Sequence, residues 1–262
     1  MIYGKLPVVF LSTIASEKKN TINSQIAEFL LNHLNEAAQM GIREMADACS
    51  VSVSSLSRFC REIGLRDFAE LRELLSANDR YFQTAPSGQT ALQRAREYRT
   101  RVMESLDQTA RSVNLNDISR LCREICRSRR TAVFGLLKAG SVALNLQGDL
   151  LMLGKQVYTN ISYAQQIQYL LSAGEEDLIL IFSYTGSYFD YQDMKPYYRQ
   201  LSVPRIWMVS GGEGEYPPYV NHVIRFRSPH DQISHPYQLQ FIAGLIAQEY
   251  ARQLEIGEAT PL

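Results

Sequence analysis

The chain lacks net charge: its 262 residues hold 27 Lys and Arg against 27 Asp and Glu. That balance removes a bulk attraction to nucleic acid or acidic membranes, but leaves room for a local basic patch or a small DNA-binding module. Long hydrophobic runs are missing too, since no stretch approaches the roughly 18 apolar residues of a membrane span. The opening "MIYGKLPVVFLSTIAS" holds only a short apolar stretch. As a signal peptide it has a poor charged leader and a poor small-residue cleavage site. Internal repeats and low-complexity tracts are absent. The expectation is a soluble, cytoplasmic protein with no membrane partner.

Cysteine is scarce and unpatterned. Cys49, Cys60, Cys122 and Cys126 form no CxxC pair. Cys122 and Cys126 stand four apart in a helical stretch, which gives them one face but a poor disulfide geometry. Zinc normally takes four ligands, and no histidine lies near enough in sequence to complete a set. Reduced, partly buried thiols are expected, with no metal and no other cofactor.

The first third of the chain reads as helices. "INSQIAEFLLNHL" sets Ile22, Ile26, Phe29, Leu30 and Leu34 on one face, with His33 beside it. Three short helical patterns follow, "IREMADAC", "SSLSRFCREI" and "DFAELRELL". Periodicity then fades in "SANDRYFQTAPSGQT", which collects Pro86, Ser87 and Gly88 and marks a domain boundary. We place the first domain at residues 1–77, a linker at 78–91 and a second domain at 92–262.

A charged helix, "LQRAREYRTRVMESLDQTARSV", opens the second domain, with Leu92, Ala95, Val102, Leu106 and Val113 on one stripe. Beyond it strands and helices alternate. "TAVFG", "QVYT", "DLILIFS", "RIWMVSGG" and "NHVIRFRS" read as strands, and "SVALNLQGDLLMLG", "YAQQIQYLLSAG", "YQDMKPYYRQL" and "PYQLQFIAGLIAQEYARQL" as helices. Short apolar runs separated by helices indicate a parallel sheet covered on both faces. The fold class is therefore α/β, an all-α unit followed by a doubly wound parallel sheet.

In "SVSVSSLSRFCREIG", Ser52 is the expected N-cap. Leu56, Phe59, Cys60 and Ile63 fall at i, i+3, i+4 and i+7 and form the buried face. Ser54, Ser57, Arg58 and Arg61 share the outer face, with Ser55 at the helix start. Hydroxyls and a helix N-terminus suit phosphate oxygens, and arginine can donate twice to a guanine edge. A recognition helix presents these groups to the major groove. A small helical domain with a merely solvated polar face fits the same spacing.

The run "IREMADACSVSVSSLSRFCREIGLRDFAELR" resembles the N-terminal helix-turn-helix of the RpiR family of bacterial sugar-phosphate-responsive regulators. The resemblance implies a double-stranded DNA operator as partner, contacted by Ser52, Ser54, Ser55, Ser57, Arg58 and Arg61. Two positions depart from the pattern. Ser50 stands where the family usually has its turn glycine, and Glu62 where a basic residue is common.

In a doubly wound sheet, ligands sit beyond the carboxyl ends of the strands where strand order reverses. "FSYTGSYFD" leaves the central strand at that end. Its hydroxyls suit either a helix cap or an oxyanion cradle. The region from about Thr131 to Leu254 resembles the sugar isomerase (SIS) domain that follows the helix-turn-helix in RpiR-type regulators. The family's first loop runs roughly GxGxSG. Here "GLLKAG" keeps Gly135 and Gly140, but Leu137 replaces a glycine and Ala139 a hydroxyl. The second runs roughly SxSGxT. Here "SYTGSY" keeps Ser183, Thr185 and Gly186, while Tyr188 replaces the threonine. Lys138 adds a cation, and Ser141 and Ser187 are displaced hydroxyls. The resemblance thus implies an effector site of Lys138, Ser141, Ser183, Thr185, Gly186 and Ser187 for a phosphosugar or similar anion, in a homodimer or higher homo-oligomer.

An isomerase would need a general base near the substrate carbon acid. His230 and His235 precede the last helix, where His235 is expected to cap or orient it. Glu175, Glu176 and His222 stand at the opposite end of the strands. Tyr184, Tyr188, Phe189 and Tyr191 read as packing or a dimer contact. The expectation is a DNA-binding regulator with no catalytic residues; the alternatives are a sugar-phosphate isomerase and an effector-independent DNA-binding dimer.

Overall fold

The structure is a computed structural model that describes residues 5–18, 20–76, 90–191, 194–229 and 233–257, with the side chains of Lys5 and Tyr191 left aside. The linker predicted at 78–91 lies almost wholly outside these residues, as does His230.

The N-terminal unit contains α1 (Lys5–Ser16), α2 (Ile22–Asn32), α3 (Leu34–Ala37), α4 (Ile42–Ala48), α5 (Val53–Glu62) and α6 (Phe68–Ser76). Its core joins Phe10 of α1, Ile26 and Leu30 of α2, Met45 of α4, Leu56 and Phe59 of α5 and Leu71 of α6, all closed to solvent. The stripe read into α2 holds except at Ile22, which is half exposed at the helix start. Helix α1 is an element that the sequence reading left as a short apolar stretch. Leu6, Val9 and Phe10 face the unit's own core, while Val8 and Ser12 are buried on the other side.

The second unit begins with α7 (Ala91–Ser112) and α8 (Leu115–Arg127). The sheet follows, with β1 (Arg130–Gly135), α9 (Lys138–Met152), α10 (Tyr163–Ser172), β2 (Asp177–Phe182), α11 (Tyr198–Leu201), β3 (Arg205–Ser210), β4 (His222–Arg225) and α12 (Tyr237–Glu255). All pairings are parallel, in the order β1-β2-β3-β4. "QVYT" forms no full strand. It contributes one parallel bridge, Tyr158 to Ala132, with backbone bonds from Val133 to Tyr158 (2.8 Å) and from Tyr158 to Thr131 (2.9 Å). That bridge decides the topology. The chain leaves β1, crosses to its outer side at Tyr158, then returns to pair β2 on the inner side. Strand order therefore reverses between β1 and β2, which places the ligand crevice at their carboxyl ends.

Both sheet faces are covered. Helices α8, α9 and α12 bury Val133, Leu178, Leu180, Trp207 and Val209, and α10 and α11 bury Ala132, Phe134, Ile179, Ile181 and Met208. Strand β2 is buried along its whole length, as a central parallel strand requires. Among its described residues, "YQDMKPYYRQL" gives 3-10 turns and the short α11. Pro196 inside it removes an amide donor and ends any longer helix. The stripe assigned to α7 is also corrected. Leu92 is 61% exposed, whereas Ser105 and Thr109 are fully buried. Ser105 meets Ser228 at 3.1 Å and is reached by Gln238, so α7 packs through a polar seam. The four cysteines are buried and form no disulfide. Burial pushes the Cys49 thiol up to about 11 and those of Cys60 and Cys122 to about 12.

Candidate functional site

Helix α5 forms as its sequence dictates. The Ser52 hydroxyl accepts from the Ser55 amide at 3.1 Å and lies 2.8 and 2.9 Å from the hydroxyls of Ser54 and Ser55. Leu56, Phe59 and Cys60 have no exposed surface, which turns Ser54, Arg58 and Arg61 to solvent and leaves Ser55 and Ser57 partly so. The Arg61 Nε donates to the Ser57 carbonyl at 3.3 Å, laying the guanidinium along the same face. The turn before α5 puts Ser50 at φ 55°, in the left-handed region where glycine is at ease. Glu62 accepts from the Asn23 side chain at 2.7 Å, so this acid is tied back to α2.

The second constellation is a small cleft between the ends of β1 and β2. Lys138, Ser183, Thr185 and Ser187 line it, together with Leu136, Leu137, Ala139, Phe182, Tyr184, Tyr188 and His235. Gly135 and Gly140 let β1 and α9 touch, since a Cβ on Gly135 would meet the Ala139 carbonyl at 2.6 Å. Leu137, between them, is held at φ 50°. Thr185 Oγ1 and Ser187 Oγ share a hydrogen bond of 2.6 Å. The Lys138 ammonium donates to the His235 carbonyl at 3.0 Å.

Two residues assigned to this site fall outside it. Ser141 is exposed one turn along α9 and does not line the cleft. Gly186 takes the turn at φ 80°, but a Cβ there would meet the Tyr216 ring at 2.8 Å, so its smallness serves packing on Tyr216. Tyr188 is buried structure: its hydroxyl donates to Gln166 at 2.7 Å and its carbonyl accepts from Tyr163 at 3.2 Å. Burial raises its phenol well above the usual range.

His235 was expected to cap or orient α12. It makes no cap: Pro236 is the N-cap and no side chain bonds there. The imidazole instead stacks on Tyr184 with centroids 4.5 Å apart. Burial, with the Lys138 charge adding to it, lowers its pKa to about 4.

The cleft has a wall that sequence reasoning missed, because Val8 of α1 lines it. One turn on, Ser12 donates to the Ile161 carbonyl at 2.7 Å and accepts from the Tyr163 amide at 3.0 Å. Phe10, between them, stacks against Phe59 of α5 with centroids 6.1 Å apart. One helix thus touches the cleft, the N-terminal edge of α10 and the core of the N-terminal unit.

Comparison with known proteins agrees with both units. Residues 10–80 match the model of the helix-turn-helix domain of the rpiR family. The chain carries an RpiR-family helix-turn-helix domain. Among curated proteins, this chain is 26% identical over 181 residues to the HTH-type transcriptional regulator HexR of Pseudomonas aeruginosa, covering 65% of this chain and 61% of that protein. It thus spans about three-fifths of that relative's length. The sugar isomerase domain of an RpiR transcription factor from Sphaerobacter thermophilus superposes with a TM-score of 0.50 at 20% identity, covering 62% of this chain and 92% of that one. A ligand-bound E. coli protein gives a TM-score of 0.53 at 10% identity, covering 66% and 95%. The second unit has the SIS-type fold, and the α/β class expected from the sequence holds.

Proposed function

We infer that this chain is a DNA-binding transcriptional regulator whose SIS-type unit senses an anionic carbohydrate derivative, a sugar phosphate being the class its cleft suits. The observation that carries the reading is α1. The same helix that packs on the recognition helix through Phe10 and Phe59 also supplies Val8 to the cleft. A ligand that favours one seating of α1 over another shifts the presentation of α5 by the difference in its affinity for the two. The cleft offers one cation, Lys138, and three hydroxyls, Ser183, Thr185 and Ser187, toward an anion. No carboxylate stands among its described lining residues, and its imidazole is a weak base. Those features favour sensing over aldose–ketose chemistry, which needs a base matched to the working pH. One helix-turn-helix reads only a few base pairs, so the operator would be a two-fold site bound by a homodimer.

Selection from a random duplex library tests the reading. It should enrich an inverted repeat, and Arg58→Ala or Arg61→Ala should each weaken binding to the selected duplex by about 1–3 kcal/mol with the fold intact by circular dichroism. No enrichment over the starting pool would refute it.

A further inference from the structure

Among the buried side-chain atoms of the cleft's described lining, one has no hydrogen-bond partner. His235 is 6% exposed, and its Nδ1 has no hydrogen-bond partner among the described residues. A buried polar atom left unpaired costs roughly 1–3 kcal/mol, and native structures rarely tolerate one without a reason. Helix capping is not the reason here, since α12 has no side-chain cap.

The surroundings hold the ring still. One face stacks on Tyr184, whose hydroxyl meets Ser228 Oγ at 2.8 Å, and Ser228 is fixed by Gln238 at 2.9 Å. The His235 carbonyl is engaged by Lys138. A neutral imidazole offers one donor and one acceptor, a pair that suits a hydroxyl or carbonyl group. Lys138 and the three hydroxyls supply the other kind of chemistry, donors and positive charge for an anion.

We propose that His235 is a specificity-determining residue of the cleft, hydrogen-bonding an uncharged hydroxyl or carbonyl of the sugar moiety while Lys138, Ser183, Thr185 and Ser187 hold the anionic end. The proposal rests on the sensing reading and divides its ligand into two parts. It predicts that His235 matters to the sugar and not to the anion alone.

The test uses the full chain and two kinds of probe, inorganic phosphate and a panel of hexose and pentose phosphates, titrated calorimetrically. His235→Phe keeps the stack on Tyr184 and removes the nitrogens. It should lose about tenfold in affinity for the sugar phosphate that wild type binds best, with phosphate affinity unchanged. His235→Asn returns a donor and an acceptor and should recover part of that loss, which also guards against a folding defect in the phenylalanine variant. In ¹⁵N spectra, where the chain's four histidines are readily distinguished by substitution, the His235 nitrogen resonances should move on adding the sugar phosphate and stay still on adding phosphate. Equal sugar-phosphate affinity in wild type and His235→Phe would overturn the assignment alone. If wild type bound no member of the panel, the sensing reading would fall and the assignment with it.

Discussion

Phe10 of α1 stacks on Phe59 of α5, with centroids 6.1 Å apart and ring planes 29° from parallel. Two residues earlier, Val8 of the same helix lines the cleft between the ends of β1 and β2. A helix apolar on several sides must be buried on several sides, and α1 satisfies that by seating itself between the two units.

The seat depends on Ser12, which bonds both the Ile161 carbonyl and the Tyr163 amide. Ser12→Ala should remove both of these bonds, at a cost of about 1–3 kcal/mol to the docked arrangement. The Tyr163 amide should exchange its hydrogen faster, and so should α1, while β2 keeps its protection. Unchanged exchange at Tyr163 would show that α1 does not dock there in solution.

Two left-handed residues give a paired prediction. Ser50 is exposed at φ 55°, and Leu137 is half-buried at φ 50°. At Ser50 an L-residue pays roughly 1–2 kcal/mol for the left-handed turn, part of which glycine loses again through its freer unfolded chain. Ser50→Gly should therefore stabilise the N-terminal unit by about 0.5–1 kcal/mol. Leu137→Gly also gives up apolar contact and should gain less or nothing, while opening the cleft. Urea unfolding of both variants distinguishes them, and a destabilised Ser50→Gly would contradict the strained-turn account.

The pH dependence of stability follows from His235. Its folded pKa of about 4 lies below the 6.5 of a free imidazole, because burial, and then the Lys138 charge, oppose protonation. Below pH 6.5 the unfolded chain binds a proton that the folded one refuses, so the contribution is complete above 6.5 and is lost as pH falls toward 4. Between pH 7 and 5 the loss should be about 2 kcal/mol. Hydrogen bonding from Arg252 and Arg130 lowers the pKa values of Glu249 and Asp177, so their contribution is complete above the free-chain carboxylate range and is lost as pH falls through that range toward the folded values. His235→Asn should reduce the fall between pH 7 and 5, leaving the part due to His222, whose pKa burial and the Arg120 charge also lower, and leave the steeper fall below it. A profile identical to wild type would mean the imidazole titrates normally.

Much of this arrangement was legible in the sequence. Leu56, Phe59, Cys60 and Ile63 announced the buried face of α5 because helical spacing and burial coincide there. Gly135, Gly140 and the hydroxyl-rich turn after β2 marked the cleft because strand ends and glycines are local signals. What stayed hidden depends on partners remote in sequence. Helix α7 packs through Ser105 and Thr109, since Ser228 and Gln238 meet them. An apolar stripe could not reveal a polar seam. Val8 looked like any valine in a short apolar run, and its place in the cleft wall follows only from docking. Gly186 kept its motif position but serves Tyr216, a residue no local pattern connects to it.

The central claim is that one cleft controls one DNA-reading helix, and fluorescence anisotropy on a selected duplex tests it most directly. The duplex is titrated with the full chain, with and without a saturating amount of the sugar phosphate that binds best, for wild type and Thr185→Val. Thr185→Val keeps the side-chain shape and removes the hydroxyl that pairs with Ser187. The account predicts that the ligand shifts the wild-type Kd by at least about fivefold, and that the variant binds DNA as wild type does without ligand but responds to ligand only weakly. A wild-type Kd that is the same with and without bound ligand would contradict it.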